Sequence, residues 1–219
     1  MALNQKHAFW EALIISIFIF GLGILIGVFI ENSRAGRISD LYMQSQVNFL
    51  DIQIQTQILD LQNLDCKQAI ENNINFGNKI YEEALLLTEY EESSRITNEI
   101  KEQHRRYDLL RNLFWINSIK IKEKCPGFST VVYLYEYEPE EIVEKNKEVV
   151  FSRYLEELKE KFKDNILLIP IAFNMNLDSV DIMAEKYGIN KTSIIVDEDL
   201  IVSGLENLYL IDEYFKDKY

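Results

Sequence analysis

Residues 12–30 read ALIISIFIFGLGILIGVFI, a run of 19 residues without a charged side chain. A helix of that length, at about 1.5 Å rise per residue, roughly matches the ~30 Å hydrocarbon core of a bilayer. A helix also satisfies all its own backbone hydrogen bonds, which lipid cannot do. The sequence therefore predicts one transmembrane helix over residues 12–30, preceded by an N-terminal tail over residues 1–11. The lipid bilayer is thus the first expected partner.

A cleaved signal peptide is the alternative to a permanent anchor. Ser33, Arg34 and Ala35 loosely resemble a cleavage site, but the apolar core of a signal peptide usually has only about 7–15 residues. Arg34 and Arg37 follow the span, and the positive-inside rule alone favours a cytoplasmic C-terminal side. Long domains translocate largely regardless of charge, however. We therefore predict a single-pass protein of the cell membrane with an extracytoplasmic C-terminal domain.

Gly23 and Gly27 form a GxxxG spacing within the span. This spacing lets two membrane helices approach closely, and it makes these glycines candidates for helix packing in a homodimer. Glycine is also common in membrane helices in general, and that is the simpler explanation.

The charge of the chain restricts its partners. The formal net charge is −13, and Lys6 and Glu11 cancel within residues 1–30, so the acidity belongs to the part outside the span. An acidic surface repels phosphates and anionic lipid headgroups. The composition argues against nucleic acid as a partner and against the exposed part lying flat on anionic lipid.

Residues 36–124 are predicted to form long helices folded back on each other, as a helical bundle or a coiled-coil stalk. Asp65, with Gln68 three residues later, predicts the cap of the second helix. The first helix carries a wide apolar band, which indicates more than one neighbour. Five residues of that band have the spacing of heptad a and d positions: Val47, Leu50, Ile54, Leu61 and Leu64.

His104 lies beside Arg105 and Arg106 in the third predicted helix. A single histidine next to two cations makes a poor metal site. We expect this basic patch to lie on a solvated helix face.

The chain has two cysteines, Cys66 at the start of the second helix and Cys125 just after the third. If these helices are antiparallel, both cysteines lie at the same end of the bundle. A disulfide there would stabilise the fold by about 4 kcal/mol in the chain-entropy model. Two unrelated buried thiols are the alternative. Two cysteines in the whole chain, both at helix ends, favour the disulfide.

After Cys125 the periodicity changes to that of an α/β domain over residues 128–219. β-Branched and aromatic residues predict strands at 130–137, 166–173, 193–196 and 200–202. Helices are predicted from Pro139, from Leu177 or Asp178 up to Gly188, and from about Leu205 to Tyr214. The fold class is α+β overall, and this domain has the order βαβαββα with a mixed four-stranded sheet.

Two rules position the strands of this sheet. A right-handed crossover through a helix makes the first two strands parallel. Pro170 has no N–H for a ladder, so its strand is expected at an edge of the sheet. Between the last two strands, Asp197, Glu198 and Asp199 predict a hairpin turn.

This order resembles the thioredoxin-like superfamily over about residues 130–214. Residues 184–190, AEKYGIN, with SIIVD at 193–197, look like the superfamily's segment before its third strand. The superfamily also places its second strand at an edge, in agreement with Pro170. The whole arrangement of anchor, helical bundle and thioredoxin-like head is similar to archaeal membrane proteins of unknown role.

Two positions depart from the superfamily's redox site. Its CxxC motif follows the first strand, and its cis-proline precedes the third. At the first position this chain has no thiol but Glu138, Pro139, Glu140 and Glu141. At the second it has Thr192 or Ser193. Thiol–disulfide exchange needs a thiolate, so the resemblance implies the fold without the reaction.

The acids of residues 136–141 are also candidate ligands of a hard cation such as Ca²⁺. Their spacing matches no metal loop, and acidic residues at the start of a helix are the simpler explanation. We therefore predict no catalytic residue, no cofactor and no metal ligand.

The expected function is a membrane-anchored interaction or scaffold protein whose partner is another protein. The alternative is extracytoplasmic thiol–disulfide exchange, or a redox-partner protein, using Cys66 and Cys125. A third possibility is an assembly unit that dimerises through Gly23, Gly27 and the first stalk helix. The sequence contains no Walker-type loop, GxSxG or HExxH motif, so hydrolase and nucleotide-binding functions have no support.

Overall fold

The structure, a computed structural model, describes residues 5–59, 65–93 and 98–218. The chain divides into two compact units, Met1–Gln44 and Ser45–Tyr219. Helix α1 (Gln5–Leu59) contributes to both units. The second unit contains, in chain order, α2 (Cys66–Ser93), α3 (Asn98–Lys124), β1 (Ser129–Tyr135), α4 (Ile142–Phe162), β2 (Ile166–Ala172), α5 (Asp178–Lys186), β3 (Ser193–Val196), β4 (Leu200–Val202) and α6 (Tyr209–Lys218).

The first unit contains the predicted apolar helix. Phe9–Ile30 is a stretch of 22 residues with a mean hydropathy of 3.0, and none of its apolar window is buried. By length and composition it is able to cross a membrane, a property that an anchor shares with an N-terminal signal sequence. A Cβ atom built on Gly23 or Gly27 has no neighbour within 4 Å. Helix packing at these glycines therefore stays a prediction.

The second unit is built on a mixed sheet of four strands in the order β2-β1-β3-β4. Strand β1 is parallel to β2 and antiparallel to β3, and β3 is antiparallel to β4. Pro170 pairs with Tyr133 in the outer strand β2. Both the parallel pair and the edge position of Pro170 are confirmed.

The two faces of the sheet carry separate cores, because successive side chains of a strand point to opposite faces. In β1, Val132 and Leu134 join the core that contains α2, α3 and α5. Val131 and Tyr133 join the second core, with α4 and α6. The helices α2 and α3 therefore lie against the sheet. The division between residues 36–124 and 128–219 as separate domains stays a prediction.

Gly77 explains how closely α2 approaches its neighbours. A Cβ atom at this position would lie 3.0 Å from Phe114 of α3 and 3.2 Å from Leu167 of β2. Glycine inside a helix costs about 1 kcal/mol of helix stability relative to alanine. In the structure the missing side chain makes room for an aromatic ring and a strand.

Several predicted boundaries are corrected. Helix α4 begins at Ile142 and not at Pro139, because residues 138–141 form a loop in which Glu138 has a positive φ of 52°. Residues Leu205–Asn207 form a 3-10 turn, and the last helix runs to Lys218. The predicted cap is confirmed, since the Asp65 carboxylate accepts the N–H groups of Lys67 (3.0 Å) and Gln68 (3.5 Å).

The described part of the first stalk helix buries a different face from its heptad positions. Asn48 and Ile52 are buried, whereas Val47, Leu50 and Ile54 are exposed. Leu61 and Leu64, the other two heptad positions, lie outside the described residues.

Candidate functional site

Glu148, a half-buried residue of α4, lies between the segment that follows β1 and the segment that precedes β3. Glu148 Oε1 accepts the N–H of Glu136 (2.8 Å) and the hydroxyl of Thr192 (3.2 Å). Burial raises the pKa of Glu148, against the effect of these two hydrogen bonds. A single carboxylate therefore links the segment after β1 to the segment before β3. Every peptide bond that the structure describes is trans.

The loop of residues 138–141 borders an open cleft of about 650 Å³, the loop cleft, together with Lys101 and Lys191. Glu138, Glu140 and Glu141 are exposed. Among the residues that the structure describes, no three His, Cys, Asp or Glu side chains are grouped so as to hold a metal ion. Ser193, beside Thr192, is buried and makes a hydroxyl–hydroxyl hydrogen bond of 2.6 Å to Ser203.

His104 is not on a solvated face, and that prediction is wrong. The side chain is buried. Its Nε2 lies 2.8 Å from the hydroxyl of Tyr135, and its ring centroid lies 4.3 Å from that of Tyr137. The arginines beside it suggested solvent in the sequence. In the fold, His104 is on the face of α3 that packs against the end of β1.

Asp108, one helical turn after His104, is fully buried. Its Oδ1 accepts the backbone N–H of Ala172 and the guanidinium of Arg111, both at 3.2 Å, and its Oδ2 lies 3.6 Å from His104 Nε2. Burial raises the pKa of this carboxyl, although His104, Arg111 and the Ala172 N–H lower it. The carboxylate therefore ties α3 to the end of strand β2. Sequence reasoning missed Asp108, although the 104, 108, 111 spacing on one helix face was visible.

An open cleft of about 630 Å³ lies between α2, α3, α4 and the outer strand β2, and we call it the edge cleft. His104 and Arg111 line it from α3, and Lys145, Glu148 and Arg153 line it from α4. The apolar side chains of Leu85 and Val149 also line it and are more than half exposed. A concave surface that combines exposed apolar groups with convergent polar groups is typical of a binding site.

A second buried charge cluster joins the hairpin turn of β3 and β4 to two helices. Asp197 Oδ1 accepts Lys122 Nζ (2.9 Å) and the Thr130 N–H (3.0 Å), and Oδ2 accepts Lys218 Nζ (2.6 Å) and the Tyr214 hydroxyl (2.9 Å). Burial alone would raise the pKa of Asp197, but these donors lower it to about 2.

The neighbouring Glu198 completes this cluster. Its carboxylate accepts the indole N–H of Trp115 (3.0 Å) and the hydroxyl of Thr130 (2.7 Å), and pairs with Lys122. The predicted turn is confirmed. Its acids also brace α3 and α6, which the sequence did not indicate. A carboxylate whose oxygens are both fully engaged is better suited to hold structure than to do chemistry.

The two cysteines are joined to each other. Cys66 is the first residue of α2, Cys125 follows α3, and their Cα atoms are 5.2 Å apart. The predicted disulfide is confirmed, and it leaves no free cysteine among the described residues. Cys125 is buried, whereas Cys66 is exposed. The disulfide connects the ends of the helical hairpin and not the loop between β1 and α4.

No family model, no curated protein and no solved structure matches this chain.

Proposed function

We propose that this protein is a membrane-anchored interaction protein that carries a thioredoxin-like domain without thiol chemistry. The parallel pair of β1 and β2, with β2 at the edge, supports the thioredoxin-like part of this proposal. The helices on both faces of the sheet support it further. The apolar helix Phe9–Ile30 supports the anchor.

The proposed absence of thiol chemistry rests on the location of the two cysteines. The chain has two cysteines, and both are in the disulfide that joins the ends of α2 and α3. The loop between β1 and α4, where the superfamily has its nucleophile, has carboxylates and a proline. Without a thiolate in that loop, exchange has no attacking group there. The remaining capacity of the domain is recognition.

The same disulfide supports an extracytoplasmic C-terminal domain, because disulfides persist in oxidising compartments and are rare in the cytosol. The test is labelling with a membrane-impermeant maleimide on intact cells, with and without prior reduction. We expect labelling of Cys66 only after reduction. Labelling only after the membrane is permeabilised would place the domain in the cytoplasm.

The proposed binding surface is the edge cleft. Strand β2 has a strand partner on one side only, and its residues Leu168 and Pro170 line this cleft. Leu85 and Val149 line the cleft with exposed apolar side chains, beside the charged groups of α3 and α4. This combination suits a polypeptide segment of another protein, which offers both apolar and charged side chains.

The binding test is crosslinking of the tagged full chain in its native membranes, followed by isolation and mass spectrometry. We expect a partner protein with the wild type and its loss in Leu85→Lys/Val149→Lys. Ile182→Lys is the matched control, because Ile182 is equally exposed on α5, outside the cleft. Recovery of no reproducible partner, or equal recovery with both variants, would refute the proposal.

The alternative of thiol–disulfide exchange rests on the exposure of Cys66. Thiol trapping in the same membranes decides between the two functions. We expect Cys66 and Cys125 to stay oxidised throughout growth. If both cysteines cycle with a substrate and Cys125→Ser abolishes turnover of that substrate, exchange is the function.

A further inference from the structure

The part of α1 in the second unit has two apolar faces, and the residues that the structure describes cover only one of them. On the inner face, Ile52 is fully buried, and the Asn48 amide donates a 2.8 Å hydrogen bond to the buried carboxylate of Glu83. On the outer face, large apolar side chains lie 49–62% exposed, at Val47, Leu50, Ile54 and Ile58. Such exposure in a row on one helix is typical of an interface.

The identity of these side chains specifies a particular occupant. Val47, Leu50 and Ile54 follow the 3–4 spacing of a heptad, with Val47 and Ile54 at a and Leu50 at d. β-Branched residues at a with leucine at d favour a parallel pair of helices. Gln57 occupies the next d position, and a polar residue at a core position sets register. We call Val47, Leu50 and Ile54 the seam.

The charges beside the seam also permit a second copy. Asp51 is the one charged residue between positions 47 and 58, although the chain carries −13. Asp51 already accepts a 2.8 Å hydrogen bond from Gln55. In a parallel pair, the g position of one helix faces the following e position of the other. These positions are Gln46 and Asp51, so like charges do not meet.

We infer that the seam is covered by a second copy of this chain, as a parallel two-stranded coiled coil. Under the proposed anchoring, two copies in one bilayer have the same orientation, and Val47 follows Ile30 by only 17 positions. Tethering of this kind raises the effective concentration of the partner helix, so a short seam suffices. The inference goes beyond the proposed function, because the edge cleft stays available to a different protein.

The test is oxidative crosslinking of the purified full chain reconstituted in phospholipid vesicles. The native cysteines are bonded to each other, so a single introduced cysteine reports contact between copies. We expect Leu50→Cys to form a disulfide-linked dimer at least tenfold faster than Ile182→Cys. Ile182 is an exposed residue of a different helix, α5. Equal rates, or no dimer with Leu50→Cys, would overturn the inference.

Two further changes separate the seam from the glycines of the span. Added to Leu50→Cys, Ile54→Lys should slow crosslinking at least tenfold, whereas Gly27→Leu should leave the rate unchanged. Ile54 is exposed, so the lysine does not disturb the fold, and an unchanged circular dichroism spectrum checks this. If Ile54→Lys leaves the rate unchanged, the seam is not the contact. Failure here leaves the edge-cleft test unaffected, because that experiment measures other proteins.

Discussion

Replacement of Asp197 by Asn tests the buried charge cluster at the β3–β4 turn. The carboxylate accepts four hydrogen bonds, from Lys122, Lys218, Tyr214 and the Thr130 N–H. Asn has nearly the same shape, and it tolerates the φ of 49° that Asp197 adopts. The substitution therefore removes the charge and one acceptor oxygen and leaves the backbone unstrained.

The magnitude follows from the pKa of Asp197. A carboxylate with a pKa of about 2 in the folded protein and about 4 unfolded stabilises the fold by roughly 2.5 kcal/mol at pH 7. Breaking a buried ion pair costs about 3–5 kcal/mol. Lys218 is 39% exposed, and its attraction is screened by water. We expect Asp197→Asn to lower the free energy of unfolding by about 2.5 kcal/mol.

The dependence on pH has a defined direction. The folded pKa lies below the unfolded one, so this stabilisation is complete above about pH 4 and is lost as the pH falls towards 2. Asp197→Asn should therefore remove that part of the acid dependence. The difference between wild type and variant should shrink from about 2.5 kcal/mol at pH 7 to near zero at pH 2.

The assay is denaturant unfolding of the full chain in detergent, followed by the fluorescence of Trp115. This indole is fully buried and donates to Glu198, next to Asp197 in the turn. Trp10, the other tryptophan, is replaced by Phe in every protein. Asp199→Asn is the matched control, because Asp199 is exposed in the same turn, and it should change stability by less than about 0.5 kcal/mol. A loss below 1 kcal/mol with Asp197→Asn, or an unchanged acid dependence, would refute the reasoning.

Three other substitutions test the packing of the second unit by the same unfolding measurement. Replacing both cysteines by Ser should lower the free energy of unfolding by about 4 kcal/mol, because it releases a closed loop with a sequence separation of 59 residues. A reductant should destabilise the wild type by the same amount. A smaller loss of stability in either experiment would contradict the chain-entropy model. Asp108→Ala should cost about 3–5 kcal/mol, because it leaves the Arg111 guanidinium buried without its carboxylate, whereas Glu102→Ala, on the exposed face of α3, should be neutral. Gly77→Ala should destabilise by about 1 kcal/mol, since overpacking against Phe114 at 3.0 Å outweighs the gain in helix propensity; a stabilised variant would show that the ring moves aside.

The α/β part of the fold could be predicted well because its cues are local. Continuous runs of β-branched, aliphatic and aromatic residues locate the strands within one or two residues, and Pro170 identifies the edge strand through a missing N–H. The crossover rule supplies the parallel pair. The disulfide could also be predicted, because the start of one helix lies beside the end of the next when the two helices are antiparallel.

The buried polar groups could not be predicted, because burial of a helix face depends on what packs against it. His104 and Asp108 stand among charged neighbours that suggest solvent, but the end of β1 and the end of β2 lie over them. Asp197 and Glu198 have the composition of an ordinary turn, and their partners include Thr130 and Lys122, which are 67 to 76 residues away. Such partners meet only when the chain is folded.

The amino-acid order predicted the apolar helix, the parallel pair of β1 and β2 with β2 at the edge, and the disulfide between Cys66 and Cys125, since each depends on neighbouring residues or on chain direction. Folding alone decided which of two apolar faces α1 buries, and it placed Val47, Leu50 and Ile54 outside. It also assembled the edge cleft from α2, α3, α4 and the strands β1 and β2, which are separate in the sequence. Both outcomes depend on competition among distant surfaces for the same contacts, and periodicity contains no information about which surface wins.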